Sequence, residues 1–354
     1  MSIFSSSKSY LGIDIGSSSI KLVELKKEAG KAKLVTYGFT ESLKGIGKAD
    51  AKQIAKIVSD IHKQSGAVSR SAVAALPTFS VFSSIINLSG VGKKDMESAV
   101  HWEAKKVIPL PLEDMILDWR KIEDVDSVEE KDKNKQENIK NDNIKVLLTG
   151  APRSLVKRYI EIFKNAQINL LSLETETFSL VRSLLGNDKS TVMIVEIGAN
   201  TTDIAIIDKG IPMLTRSIDI GGLTITKAIS NNLNIGMERA EQFKYDLGIS
   251  SNGSQDSVIP KTITETISPI VNEIKYASNL FQSKNNKAVE KVILSGGSSI
   301  ITNFSNYLSK ILNINVIVGD PWSRVSCPVD LKPLLDEIGP RMSISVGLAM
   351  RELE

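Results

Sequence analysis

Asp14-Ile15-Gly16-Ser17-Ser18-Ser19-Ile20-Lys21 joins two short apolar runs, Tyr10–Asp14 and Ile20–Lys26, and this junction sets the architecture of the chain. Both runs have strand character, and a glycine–serine turn separates them. A dinucleotide-binding Rossmann unit places a helix after such glycines. Here a strand follows, so the unit is a hairpin. Gly16 permits a positive φ and close backbone approach. The serines offer hydroxyls and successive backbone N–H groups that can cradle a phosphate. Asp14, at the strand end, suits a magnesium ion held through its waters. Lys21 either returns into a cleft or points to solvent. Taken alone, such a hairpin also serves as a plain tight turn.

The same theme returns later in the chain. Leu34–Thr40 completes a first three-strand meander, and Thr191–Glu196, Asp203–Ile207 and Ile211–Ser217 make a second. The turn of the second is Glu196-Ile197-Gly198-Ala199-Asn200-Thr201-Thr202-Asp203, again a carboxylate at the strand end, a glycine and small hydroxylated residues. This repetition predicts an internal duplication and two related lobes. After it, Gly221-Gly222 opens a helix running to about Asn232. A third glycine turn, Leu294-Ser295-Gly296-Gly297-Ser298-Ser299, ends the strand Val292–Leu294. Its glycines let a flat group lie on the backbone, and a helix expected after it would favour anionic charge at its N-terminus.

Between the two meanders, Ala51–Gly66 is an amphipathic helix with Ile54, Ile57, Val58 and Ile61 on one face, and Ser71–Leu76 is a buried strand. Val81–Leu88, Lys94–Val107, Met115–Glu123, Ile144–Thr149 and Arg153–Ala166 then read as strand, helix, strand, strand and helix, a compact inserted block. Ile108-Pro109-Leu110-Pro111 stops its first helix. The stretch 123–143 is nearly all charged or amide residues and reads as a solvated, disordered loop. Glu238–Leu247 and Pro260–Gln282 are further helices.

Composition narrows the function classes. With 354 residues the chain is long enough for two or three domains. Its 44 basic and 41 acidic residues leave a net charge of only +3, so nothing global points to nucleic acid. One cysteine, Cys327, excludes an internal disulfide framework and suits a reducing compartment. Two distant histidines, His62 and His101, argue against a histidine-based zinc site. Met1–Ser9 is polar, without the apolar core of a signal peptide, and no window approaches the ~20 apolar residues of a membrane span. The expectation is a cytoplasmic protein that meets a membrane only through partners, with no amphipathic anchor at its C-terminus.

The order Asp-x-Gly-(small)₃-x-Lys, then (Asp/Glu)-x-Gly-x-x-Thr-Thr-Asp, then Ser-Gly-Gly-Ser resembles the actin-like ATPase superfamily, which includes actin, MreB, FtsA and the DnaK-type chaperones. Ala240-Glu241-Gln242-Phe243-Lys244 is similar to that superfamily's Ala-Glu-x-x-Lys. The inserted block sits where the FtsA branch carries a small α/β subdomain. Within it, Ala99-Val100-His101-Trp102-Glu103-Ala104 and Val107–Glu113 resemble the PilM family of type IV pilus assembly. So do Leu173–Leu180, Arg216–Gly222 and the ending Ser345–Arg351. The resemblance implies an α/β, actin-like (ribonuclease-H-like) fold, duplicated and two-lobed, with an FtsA-type inserted subdomain. The implied division is 1–78, 168–190 and 339–354 for the first lobe core and 79–167 for a peptide-binding insert. The second lobe core is 191–228 with 290–338, and its helical subdomain is 229–289.

Carried over position by position, the resemblance implies bound ATP and Mg²⁺, with Asp14 and Glu196 as the carboxylates that reach the metal through water. Gly16, Ser17, Ser18, Ser19 and Lys21, with Gly198, Ala199, Asn200, Thr201 and Thr202, take the phosphates. Gly221 and Gly222 lie near the cleft, and Glu241, Lys244, Gly296, Gly297 and Ser298 surround the nucleoside. Glu176 falls where an attacking water is oriented. The main departure is Glu196, where the superfamily most often has Asp, and this favours binding over hydrolysis. The implied partner is the N-terminal cytoplasmic peptide of the membrane protein PilN, within a pilus assembly platform, in a groove walled by Phe79, Val81, Phe82, Ile86 and Trp102. A homo-oligomer is compatible with this. The alternatives are an FtsA-like, ATP-dependent filament and, more remotely, a sugar or acetate kinase of the same superfamily.

Overall fold

The computed structural model describes residues 8–41, 46, 49–92, 94–122, 144–249 and 258–354. The charged stretch 123–143 lies outside them. The chain opens with β1 (Ser9–Ile15), β2 (Ser19–Glu28), β3 (Lys31–Glu41), α1 (Ala51–Gln64) and β4 (Ser71–Leu76). Next come β5 (Phe82–Leu88), α2 (Met96–Val107), β6 (Met115–Ile122), β7 (Ile144–Pro152) and α3 (Arg153–Asn165). Then β8 (Asn169–Thr175) and the short α4 (Glu176–Leu180) lead to a second meander. That meander is β9 (Val192–Ile197), β10 (Thr202–Asp208) and β11 (Ile211–Ile218). It is followed by α5 (Gly222–Leu233), α6 (Met237–Leu247) and α7 (Val258–Asn285). The chain closes with β12 (Lys291–Ser295), α8 (Phe304–Leu312), β13 (Asn315–Val318), β14 (Val325–Ser326) and α9 (Lys332–Met350).

Two sheets carry the duplication. One runs β14-β3-β2-β1-β4-β8 and the other β11-β10-β9-β12-β13. In each, an antiparallel meander is extended by two parallel strands, β4 and β8 in the first and β12 and β13 in the second. The two hairpin turns close alike: Gly16 N–H donates to the Ser19 carbonyl and Gly198 N–H to that of Thr201, both at 2.9 Å. Gly16 does not use the positive φ open to it. What its lack of a side chain supplies is room, since a Cβ there would sit 3.0 Å from the Ser19 carbonyl oxygen.

These strands bury near-continuous apolar runs because helices cover them. Leu11, Ile13, Val73 and Val195 are fully buried. α1 starts at a reciprocal capping box between Asp50 and Gln53 and turns Ile54, Val58 and Ile61 inward. Each such side chain contributes roughly 1.5–3 kcal/mol by burial. α9 is an interior helix. From Met342 to Met350 every residue is buried, and its apolar side chains join β1, β2 and β3 residues in one core and β4, β9, β10 and β12 residues in another.

The described residues divide into two compact units, Ser80–Arg158 and the rest of the chain on either side of it. The smaller unit has a sheet of order β5-β7-β6 and its own core of Ile86, Leu88, Val100, Ala104, Met115 and Val146, among others. Ile86 therefore belongs to this core and cannot wall a groove as expected. Its neighbours alternate across β5, and burial of one face of the strand claims it.

Candidate functional site

The two hairpins place their strand-end carboxylates in equivalent registers, with opposite electrostatic outcomes. In the first, Asp14 pairs across the strands with Lys21, and the Lys21 ammonium donates to Asp14 Oδ2 at 2.7 Å. In the second, the same register sets Glu196 opposite Asp203, acid facing acid. Like charges directly opposite in a ladder repel. Asp203 is buried, and no group meets its Oδ1 in hydrogen-bonding geometry. Glu176, the first residue of α4, joins this acidic end and lines a narrow pocket with Thr78, Glu196 and Asp203. Its Oε2 accepts from the Thr78 backbone N–H at 2.8 Å and hydroxyl at 2.9 Å.

The proton affinities follow from this crowding. Burial, then the charges of Asp203 and Asp14, push Glu176 up to about 8, against the two Thr78 bonds. Burial is also the first cause at Glu196, followed by Asp203 and Glu176, and it holds that carboxyl well above its usual range although Lys21 pulls the other way. Asp203 is raised to about 6 by burial, with the Ser217 and Thr201 hydroxyls beside it opposing. Burial lowers Lys21, but Asp14, Glu196 and Glu176 together outweigh it and keep the ammonium above the ordinary lysine value. One lysine among four carboxylates leaves this end of the site short of positive charge.

Next to the acids a cleft of about 930 Å³, open to solvent, is lined by Ser18, Ser19 and Lys21 from the first hairpin and by Glu196, Gly198 and Ala199 from the second. Gly222, Glu241, Lys244, Gly297 and Ser298 complete the predicted set there. The residues that sequence reasoning missed are Ile197, Leu223, Tyr245 and Arg341, along with Thr78 and Asp203 at the acidic end. Asp203 ends the very motif that marked the second hairpin, so its position was legible and its role was not. Arg341 and Tyr245 carry no local signal.

Several predicted residues act one step back from the cleft. Gly222 N–H donates to the Gly198 carbonyl at 2.8 Å and Leu223 N–H to that of Ala199 at 2.9 Å, so the start of α5 braces the second hairpin. Gly221 makes that contact possible, because a Cβ on it would lie 2.6 Å from the Ala199 carbonyl oxygen. Thr202 is buried and its hydroxyl donates to the Ile220 carbonyl at 2.7 Å. Ser17 accepts the Ile46 N–H through its carbonyl, and Asn200 is exposed at the tip of its turn.

At the far end of the cleft Lys244 is buried, with its ammonium 2.8 Å from both Glu241 oxygens, 3.2 Å from the Thr226 hydroxyl and 3.3 Å from the Gly222 carbonyl. Thr226 also donates to Glu241. This clamp holds Glu241 as a fixed acceptor, 28% of its side chain still exposed. Gly296 has φ +86°, and a Cβ there would lie 2.7 Å from Glu196 Oε1, so only glycine lets the turn approach the acid. Gly297 has open space above it, which leaves room for a flat group. The turn continues as a single 3₁₀ turn, Gly297–Ile300, and α8 begins only at Phe304. The helix expected after the turn is α8, set off from the glycines because Ile301 leaves the helical region.

The model of the family of type IV pilus assembly protein PilM matches residues 12–353 of this sequence. The chain belongs to the PilM family. Its structural likeness to a solved PilM–PilN type IV pilus biogenesis complex has a TM-score of 0.83 at 24% identity, covering 98% of both chains. MreB 5 of Spiroplasma citri, solved with AMPPNP, shares the fold at a TM-score of 0.52 and 13% identity, over 96% of this chain and 94% of that one. In sequence, the cell division protein FtsA of Bacillus subtilis is 23% identical over 352 residues, 88% of this chain and 78% of the relative. FtsA of Neisseria meningitidis is 28% identical over 229 residues, 57% of this chain and 52% of the relative. The fold of this PilM-family chain is thus the actin-like one, and its place is in type IV pilus assembly. Among the described residues no helix is long and apolar enough to cross a membrane.

Of the residues expected to contact a peptide, Phe79 and Trp102 are 61% and 69% exposed. Val81 and Phe82 are half-buried. The Lys105 ammonium lies over the Trp102 ring, 5.5 Å from its centre.

Proposed function

We propose that this PilM-family chain is a nucleotide-binding scaffold that holds Mg-ATP between its two hairpins and presents its smaller unit to a peptide of the pilus assembly platform. The observation that carries the nucleotide reading is the acid pair Glu196–Asp203 beside the Asp14–Lys21 pair. Asp203 is buried and Glu196 opposite it is partly buried, and a cation beside two such facing carboxylates would favour their charged forms. Among the described residues no three acidic, histidine or cysteine side chains converge tightly enough to ligate an ion directly. Magnesium, which keeps its waters, fits such a site through Asp14 and Glu196. A bound magnesium would neutralise phosphate charge. Ser18, Ser19, Gly198 and Ala199 would then cradle the phosphates, and Glu241 would accept the ribose hydroxyls. Gly296, Gly297 and Ser298 would lie against the nucleoside.

Glu176, held by Thr78, is the residue that would orient a water toward the terminal phosphate. Glu196 is one methylene longer than the usual aspartate, and misplacement by ~1 Å costs such groups about 10²-fold. The reading is therefore firm nucleotide binding with slow turnover. The resemblance to a solved PilM–PilN complex supports the N-terminal cytoplasmic peptide of a PilN as the partner, with the exposed Trp102 of the smaller unit as an apolar contact. On this reading the chain works at the cytoplasmic face of the membrane through its partner, with nucleotide biasing the peptide affinity.

Calorimetric titration of Mg-ATP into the wild type and Asp14→Ala tests the cleft. Micromolar binding lost in the variant supports it, and absence of binding to the wild type refutes it. Titrating the PilN peptide with and without Mg-ATP tests the coupling, which fails if the two affinities coincide. The FtsA relatives favour one second reading, a nucleotide-dependent filament. ATP-dependent sedimentation would reveal it.

A further inference from the structure

Arg341 lies on α9 and lines the cleft together with Ser18, Ser19 and Lys21. Its guanidinium carbon is 5.8 Å from the centre of the Phe39 ring. Phe39, on β3, is the direct cross-strand partner of Lys21 on β2, so the two side chains share a face of the sheet. The backbone next to Arg341 is pinned. The Pro340 carbonyl accepts from Gly296 N–H at 2.9 Å, from the Ser295 hydroxyl at 3.1 Å and from the Ser343 hydroxyl at 3.0 Å. The root of Arg341 is thus tied to the Gly-Gly turn at one side of the cleft, and its head stands beside the residue that flanks Lys21 at the other.

We propose that Arg341 is a specificity-determining residue that reads the phosphate chain of the bound nucleotide and favours di- and triphosphates over monophosphates. This rests on the nucleotide reading given above. The chemistry follows from charge and shape. Arg341 shares its part of the cleft with Ser18, Ser19 and Lys21, the residues of the first hairpin. A nucleoside triphosphate brings several negative charges into this space. A guanidinium carries five N–H donors in a planar fork that matches two phosphate oxygens at once. It tolerates an aromatic ring against its face while doing so. The base and ribose would meet the other end of the cleft, near Glu241 and Tyr245, so the length of the phosphate chain decides whether Arg341 is reached.

The test compares the affinities of Mg-ATP, Mg-ADP and AMP, the last by competition, for the wild type, Arg341→Gln and Arg341→Lys. Arg341→Gln should weaken Mg-ATP by about 10- to 100-fold, the range for hydrogen bonds to charged groups, and leave AMP nearly unchanged. Arg341→Lys keeps the charge without the fork and should fall between. A role in shaping the cleft alone would lower ATP and AMP affinity together, and that result, or unchanged ATP affinity, overturns the proposal. Should Arg341→Gln fail to fold, the ATP-to-AMP ratio of Arg341→Lys decides in the same way. Loss of all nucleotide binding in the wild type would instead sink the nucleotide reading itself and take this inference with it.

Discussion

Replacing Glu176 with Gln gives the sharpest test of the electrostatics at the acidic end. In the folded, ligand-free chain Glu176 keeps its proton until about pH 8, whereas the ordinary glutamate value is 4.5. The folded state therefore binds a proton that the unfolded state has lost across that window. Stability from the neutral carboxyl is complete below pH 4.5 and drains away as the pH rises toward 8. Moving from 4.5 to about 8, at about 1.4 kcal/mol per pH unit, bounds the effect at roughly 5 kcal/mol. Asp203 and Glu196 share the same crowding, so relief at one site eases the others, and about 2–3 kcal/mol is the expected net loss. Gln resembles the protonated acid, keeps an acceptor for the Thr78 N–H and hydroxyl, and does not titrate. In urea unfolding followed by circular dichroism, wild type and Glu176→Gln should match near pH 5, and the variant should be more stable by that amount at pH 8.5. Parallel curves at every pH would refute the reasoning. Saturating Mg-ATP should flatten the wild-type curve, because the cation supplies the missing charge.

Three further outcomes follow from the geometry. Gly296→Ala should destabilise the chain by about 3 kcal/mol, since its φ of +86° is unfavourable to a side chain and the Cβ runs into the Ile197 carbonyl; thermal unfolding checks this. Lys244→Met leaves Glu241 and the Gly222 carbonyl without their buried cation, and urea titration should show a loss of about 3 kcal/mol. Glu196→Asp should raise the rate of ATP hydrolysis by about 10-fold or more with little change in ATP affinity, as measured by phosphate release. An unchanged rate would mean that the longer side chain is not what limits turnover.

The hairpins, the glycine turns and the duplication were legible in the sequence. Alternation and turn chemistry act over a handful of neighbours, as in Asp14–Lys21 and Glu196–Asp203. The strands and helices of the smaller unit were legible for the same reason, as in the stop that Ile108-Pro109-Leu110-Pro111 puts to α2. β8 and β14 were not. β14 pairs with β3 nearly three hundred positions away, and Asn169–Thr175 holds its place through parallel pairing with β4. Of the two freedoms open to Gly16, a positive φ and close backbone approach, the fold uses the second. Ile86 was assigned to a surface that a core claimed.

Only the fold decides which charges keep partners. The register that joins Lys21 to Asp14 in one lobe sets Asp203 against Glu196 in the other, and burial then turns that difference into shifted proton affinities. Arg341 reaches the cleft because Pro340 is tied to a turn more than forty residues earlier. Contacts of that range arise from packing, and a linear chain carries no local mark of them.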